Sequence, residues 1–92
     1  MIDRKKLEKL QGKVDIKCES TINQEGVKYV FGFYSRDEKI GDLTFHDSYD
    51  ERALSGEISK NAQRYLKKEL EDLGYVVSDV RLPSVTKIKK QK

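Results

Sequence analysis

The sequence predicts a single α+β domain, and two observations carry that prediction. Three short segments between residues 14 and 45 alternate apolar and polar residues, as strands with one buried face do. Residues 55–73 then repeat apolar residues at helical spacing. We therefore expect a three-stranded antiparallel meander with a long amphipathic helix packed on one face. A short helix before the meander and a fourth strand after the long helix complete the predicted order, α-β-β-β-α-β. The predicted domain spans residues 1–83, and residues 84–92 form a basic C-terminal tail, with an edge strand containing Val85 and Ile88 as the alternative.

The first predicted element is a short helix over residues 3–11. Leu7 and Leu10 belong to an apolar stripe, and Asp3 can cap the first turn. Gly12 follows the last turn, where glycine commonly ends a helix.

The first two predicted strands place their apolar residues at opposite positions, even-numbered in one and odd-numbered in the other. Residues 14–22 are apolar at even positions, whereas residues 27–35 carry their heavier side chains at odd positions. The apolar faces of both strands can point into one core only if the residue numbers of each cross-strand pair add to an odd total. A four-residue loop at 23–26 satisfies this condition. The loop contains Gly26, a residue able to take positive φ. The resulting pairs are Ile22 with Val27, Cys18 with Phe31, and Ile16 with Phe33.

A third strand is predicted over residues 40–45. Its alternation places Gly41, Leu43 and Phe45 on the core side. Ile40, with the polar Asp42 and Thr44, is then expected on the outer side.

The sequence allows two starting positions for the long helix. Ser48 and Glu51 have capping-box spacing, which favours a start near residue 49. A short turn with the main helix beginning at Ser55 is the alternative. Gly74 is expected to end the helix, and a fourth strand over 75–82 is limited by Pro83. The predicted buried stripe consists of Leu54, Ile58, Ala62, Tyr65, Leu66, Leu70 and Leu73.

The composition indicates a cytoplasmic protein without a membrane segment. No apolar run approaches the roughly 20 residues of a membrane-spanning helix, and the charged N-terminus lacks the apolar run of a secretory signal. Cys18 is the single cysteine, so no disulfide can form within the chain. Its position in the first strand predicts a small buried apolar residue rather than a nucleophile.

No arrangement of residues indicates an enzyme, a metal site or a cofactor. One histidine and one cysteine leave almost no catalytic combinations, and the six glycines form no phosphate-binding loop. His46, Asp47, Asp50 and Glu51 form the one cluster that suggests a metal site. Helix capping explains its acidic members better.

The function favoured by the sequence is a small binding or regulatory protein. One helix covers one side of a sheet, so we expect the outer sheet face to contact a protein partner or a second copy of the chain. Apolar residues framed by charge often mark such contacts. The candidate contact residues are Lys17, Val30, Tyr34 and Ile40.

Nucleic-acid binding is the alternative function. The net charge is +3, and residues 84–92 hold four lysines and no acid. Lysines and arginines three to four positions apart on the long helix can form a ridge for phosphates, although a solvated face of opposite-charge pairs is the simpler explanation. The candidate residues are Lys60, Arg64, Lys67 and Lys68 on the helix, with Lys87, Lys89 and Lys90 in the tail.

The strand–strand–strand–helix order over roughly residues 13–73, with Ser59-Lys60-Asn61-Ala62 early in the helix, resembles the double-stranded-RNA-binding domain. The resemblance implies phosphate contacts from lysines at the helix start. This sequence departs from that domain in its short first helix, the missing Lys-Lys pair at the helix start and the fourth strand. It is not assigned to the family.

Overall fold

The computed structural model describes residues 14–35, 37–49, 51–77, 81 and 83–90. The predicted N-terminal helix lies outside these residues. The described elements are strands β1 (Asp15–Ile22), β2 (Val27–Ser35) and β3 (Glu38–Asp47), a 3₁₀ segment (Glu51–Ser55), helix α1 (Lys60–Asp72) and strand β4 (Ser84–Lys90). The prediction of a three-stranded antiparallel sheet followed by a long helix is confirmed.

The sheet has the strand order β3-β2-β1-β4. β1 and β2 pair in the predicted register, with Cys18 opposite Phe31. The turn is held by Asn23, whose Oδ1 accepts hydrogen bonds of 2.9 Å from the backbone N–H groups of Glu25 and Gly26. Gly26 does not adopt positive φ. Glycine is needed there because a Cβ would stand 2.5 Å from the carbonyl oxygen of Asp47.

The core lies between the sheet and α1. Phe31 and Phe33 are fully buried, as the parity of β2 predicts. Helix α1 contributes the buried stripe Ala62, Leu66 and Leu70, and the ring of Tyr65 stacks on Phe45 with 4.9 Å between centroids. The residues of α1 on the side opposite this stripe are exposed.

The position of Ile40 differs from the prediction. Simple alternation places it on the outer face, but Ile40 is only 7% exposed and belongs to the core. The β2–β3 register shifts between Phe33 and Tyr34, so that Phe33 pairs with Gly41 and Tyr34 with Lys39. The extra residue in this bulge is Ile40, and a bulge interrupts the simple alternation of side chains along a strand.

The chain after α1 departs from the prediction as well. Tyr75 and Val76 have no regular structure, and residues 78–80 and 82 lie outside the described part, so a strand over 75–82 is not confirmed. A strand follows Pro83 instead: β4 pairs parallel to β1, within the segment predicted as a tail. The division of the chain into a domain and a tail at residue 83 stays a prediction.

Candidate functional site

The solvent side of α1 carries a basic ridge, defined as Lys60, Arg64, Lys67 and Lys68. All four residues are exposed. At 3.6 residues per turn they cover an arc of about 100° around the helix axis. The centre of this arc lies about 150° from the centre of the buried stripe. The sequence places these four residues on one ridge, and the structure brings them together there.

No ridge residue forms an ion pair with another residue of the described part of the chain. Among the described residues, the ion pairs are Lys39 with Asp42 and Arg81 with Asp15, and neither involves a ridge residue. The opposite-charge pairs expected for a solvated face are therefore not formed in the described structure. Glu71 is exposed and lies within the ridge arc by helical spacing, so it is the acid best placed to oppose an anionic ligand.

The start of α1 is fixed by Ser59, not by Ser48 or Ser55. The Ser59 hydroxyl accepts a 3.1 Å hydrogen bond from the backbone N–H of Ala62. The same hydroxyl donates to Oδ2 of Asp47 at 2.6 Å, and the Ser59 backbone N–H donates to the hydroxyl of Tyr29 at 3.3 Å. The helix start is thus tied to both β3 and β2. Sequence spacing did not identify this cap because the partners of Ser59 are distant in the chain.

The end of α1 is fixed by local backbone geometry. Gly74 has φ +92°, and its N–H donates to the carbonyl of Glu71 at 2.9 Å, while the N–H of Tyr75 donates to that of Leu70 at 3.0 Å. These two hydrogen bonds form a Schellman motif, which confirms the predicted role of Gly74. The ridge therefore stands on a helix that is anchored at both ends.

The outer sheet face is less apolar than the sequence predicts. With Ile40 in the core, Val30 and Tyr34 remain, and both are half-buried. The ring of Tyr34 lies across Gly32, where an added Cβ would be 2.9 Å from the ring. The ammonium of Lys17 stands over this ring, 4.6 Å from its centroid, in the geometry of a cation–π interaction.

Charged residues frame this face. Lys39 Nζ and Asp42 Oδ2 are 3.1 Å apart, and the bond from Lys39 lowers the pKa of the Asp42 carboxyl. Such an exposed pair contributes little to stability.

Among the described residues, the hydrogen bond between Ser59 and Asp47 comes closest to a catalytic pair, but the Ser59 hydroxyl serves as a helix cap. His46 is exposed and precedes Asp47 in β3, so its side chain points to the opposite face of the sheet. Within the described ranges, no group of three or more histidine, cysteine or acidic residues is arranged to hold a metal ion. Asp50 lies outside those ranges.

Cys18 is fully buried in β1. Burial raises the pKa of its thiol from 9.0 to about 11. The thiol is therefore protonated near neutral pH and unsuited to act as a nucleophile, as its position in the first strand predicts.

Lys87, Lys89 and Lys90 lie in β4, opposite Glu19, Thr21 and Ile22 respectively. They belong to an edge strand of the sheet, whereas the basic ridge belongs to α1.

No family model, curated protein or solved structure matches this chain. In the part of the chain that the structure describes, no helix is both long and apolar enough to cross a membrane.

Proposed function

We propose that this protein is a small non-enzymatic module that binds nucleic acid through the basic ridge of α1. The observation that carries the proposal is the exposure of Lys60, Arg64, Lys67 and Lys68 on one side of a helix, without an ion pair among the described residues. Polyanion binding depends on such cations, because each phosphate that they neutralise releases condensed counterions.

The dimensions of the ridge suit a row of phosphates. Lys60 and Lys68 are eight residues apart, or about 12 Å along the helix axis. A nucleic-acid strand in a duplex advances about 3.4 Å per phosphate along its axis. The ridge thus offers four cations over a length of duplex that carries several phosphates on its two strands.

The anchoring of α1 supports the same proposal. Ser59 and Gly74 fix the two ends of the helix, so the four side chains are displayed on a backbone that binding does not have to order. Preorganisation of this kind lowers the entropic cost of association.

The charge of the rest of the chain limits the affinity. Residues 1–17 hold six basic and three acidic residues, and residues 84–92 hold four basic ones, which leaves nine basic and thirteen acidic residues for 18–83. An acidic body repels phosphates, so we expect weak binding that is detectable at low salt.

The test is titration of labelled single- and double-stranded DNA and RNA at low salt. Lys60→Ala combined with Arg64→Ala should reduce affinity about tenfold, because two phosphate contacts are lost. Lys28→Ala combined with Lys39→Ala removes the same charge from exposed positions on the sheet and is the matched control. Equal losses in the two variants would mean that net charge, and not the ridge, governs binding. Absence of binding to all four nucleic acids would end the proposal.

The second candidate function is protein binding at the outer sheet face. It is favoured by the half-buried Val30 and Tyr34 on one face of β2, with Lys17 held over the tyrosine ring. In this case Tyr34→Ala should reduce capture of a protein partner from nuclease-treated extract of the native host while the circular dichroism spectrum is unchanged. The same captured amount from wild type and variant would contradict it.

A further inference from the structure

A cavity of about 380 Å³ opens at the end of the sheet where the β1–β2 turn meets the end of β3. Its polar lining comes from the outer sheet face and from the turn. The side chains with hydrogen-bond donor groups in this lining are Thr21, Asn23, Lys28 and His46. None of them belongs to α1, which packs on the core face of the sheet.

Three of these side chains form one row across the sheet. Thr21 pairs with Lys28, and Lys28 pairs with His46. Directly paired residues hold their Cβ atoms about 4.5–5.5 Å apart, so a hydroxyl, an ammonium and an imidazole lie within reach of one small ligand. Lys28 and His46 are exposed, and no described residue bonds to the side chain of any of the three. In β4, Lys89 takes the next position of this row, opposite Thr21.

The turn adds a donor that is already held in place. Oδ1 of Asn23 accepts hydrogen bonds of 2.9 Å from the backbone N–H groups of Glu25 and Gly26. These bonds occupy the acceptor end of the amide and leave its NH₂ group as a donor for a ligand. Because the turn fixes the amide, binding does not have to order it.

The acids of the lining are poorly placed to repel an anion. Both carboxylate oxygens of Asp47 accept hydrogen bonds, one from the Ser48 N–H at 2.8 Å and one from the Ser59 hydroxyl at 2.6 Å. Asp47 also follows His46 in β3, so its side chain belongs to the core face. Glu25 is the other acid of the lining, and it is exposed in the turn, where water and salt screen its charge.

We propose that this cavity binds a terminal phosphate group, that is, a phosphate monoester. Such a group carries a charge of about −1.5 to −2 at neutral pH and three strong acceptor oxygens, which the ammonium, hydroxyl, imidazole and amide donors match. A phosphate diester within a strand has two unesterified oxygens and a single charge, so it uses these donors less fully. A free small monoester and the 5′-phosphate end of a nucleic-acid strand present the same group.

Titration with inorganic phosphate, followed by NMR, tests the proposal. Wild type should show saturable shifts at the residues that line the cavity, with a Kd in the millimolar range because the site is open to water. Lys28→Ala should weaken binding about three- to fivefold, the upper range for an exposed ion pair. Lys39→Ala removes the same charge from an exposed position of β3 outside the cavity and should leave binding unchanged. Absence of saturable shifts, or equal losses in the two variants, would overturn the proposal.

Two strands of one sequence, one with a 5′-phosphate and one with a 5′-hydroxyl, distinguish the sources of the group. If a strand end is the ligand, wild type should bind the phosphorylated strand at least about threefold more tightly, and Lys28→Ala should abolish the difference. Equal affinity for the two strands, with saturable binding of inorganic phosphate, assigns the cavity to a free monoester. A difference that persists in Lys28→Ala would overturn the proposal.

The cavity and the basic ridge lie on opposite sides of the sheet, so each is tested without the other. Strands with hydroxyl ends offer the cavity no terminal phosphate, and Lys28→Ala stays a valid charge control for the ridge on such strands. Lys60→Ala combined with Arg64→Ala should keep the wild-type affinity for inorganic phosphate while it loses affinity for nucleic acid. Loss of phosphate binding in this variant would contradict a separate site.

Discussion

The Ser59 hydroxyl donates a 2.6 Å hydrogen bond to Asp47 while accepting one from the first turn of α1. One side chain thus caps the helix and attaches it to the end of β3. Because Ser59 immediately precedes Lys60, this contact holds the start of the ridge beside the end of β3.

Replacement of this cap should be costly. Ser59→Ala removes a helix cap and a hydrogen bond to a carboxylate, and we expect the free energy of unfolding to fall by about 2 kcal/mol. Ser48→Ala is the control, because sequence spacing predicts Ser48 as the cap, whereas in the structure it is exposed and precedes α1 by twelve residues. It should change the free energy by less than about 0.5 kcal/mol. Equal losses in urea denaturation would contradict the assignment of the cap.

The burial of Ile40 makes a second prediction. Ile40→Ala should lower the free energy of unfolding by about 2–3 kcal/mol, since it removes a core side chain. Thr44→Ala, at an exposed position of the same strand, is the comparison. If Ile40 were on the outer face, as simple alternation predicts, the two losses would be similar and small.

The sequence predicts the parts of the fold that depend on regular periodicity. The pairing of Cys18 with Phe31, the burial of Leu66 and Leu70, and the helix stop at Gly74 all follow from alternation, helical spacing or a glycine C-cap. These signals are regular periods or local caps, and the packing of the structure agrees with them.

The departures arise where distant residues decide the structure. A bulge at Ile40 breaks the alternation by one residue, and no local residue type marks it. Ser59 is chosen as the cap over Ser48 and Ser55 by contacts to Asp47 and Tyr29. Sequence spacing alone predicts that the four ridge cations lie on one side of α1. Only the structure shows that none of them forms an ion pair with another described residue.

The buried thiol predicts a pH effect. The folded pKa of Cys18 is about 11, against 9.0 for an ordinary thiol, so the folded state retains its proton at pH values where the unfolded state loses it. Stability from this group is complete below pH 9 and decreases as the pH rises toward 11. Between about pH 8.5 and pH 10, wild type should lose about 1 kcal/mol more than Cys18→Ala. Parallel pH profiles of the two proteins would contradict this prediction.

Glu71 and Asp72 offer a matched pair for testing the ridge. Both are exposed acids in the last turn of α1, but Glu71 lies within the ridge arc and Asp72 is about 90° from its centre. Glu71→Gln should raise nucleic-acid affinity about two- to threefold, because it removes repulsion from the phosphate path. Asp72→Asn, with the same charge change, should raise it less. Equal gains in affinity for the two variants would indicate that the net charge of the protein, and not the position of the acid, governs binding.

The salt dependence of binding tests the ridge most directly. For duplex nucleic acid, four phosphate contacts predict a slope of about −3.6 in a plot of log affinity against log salt concentration. In the variant Lys60→Ala with Arg64→Ala, the slope should shrink in magnitude by about 1.8, since two contacts are removed. An unchanged slope in this variant, or no measurable binding by wild type at low salt, would contradict phosphate binding by α1.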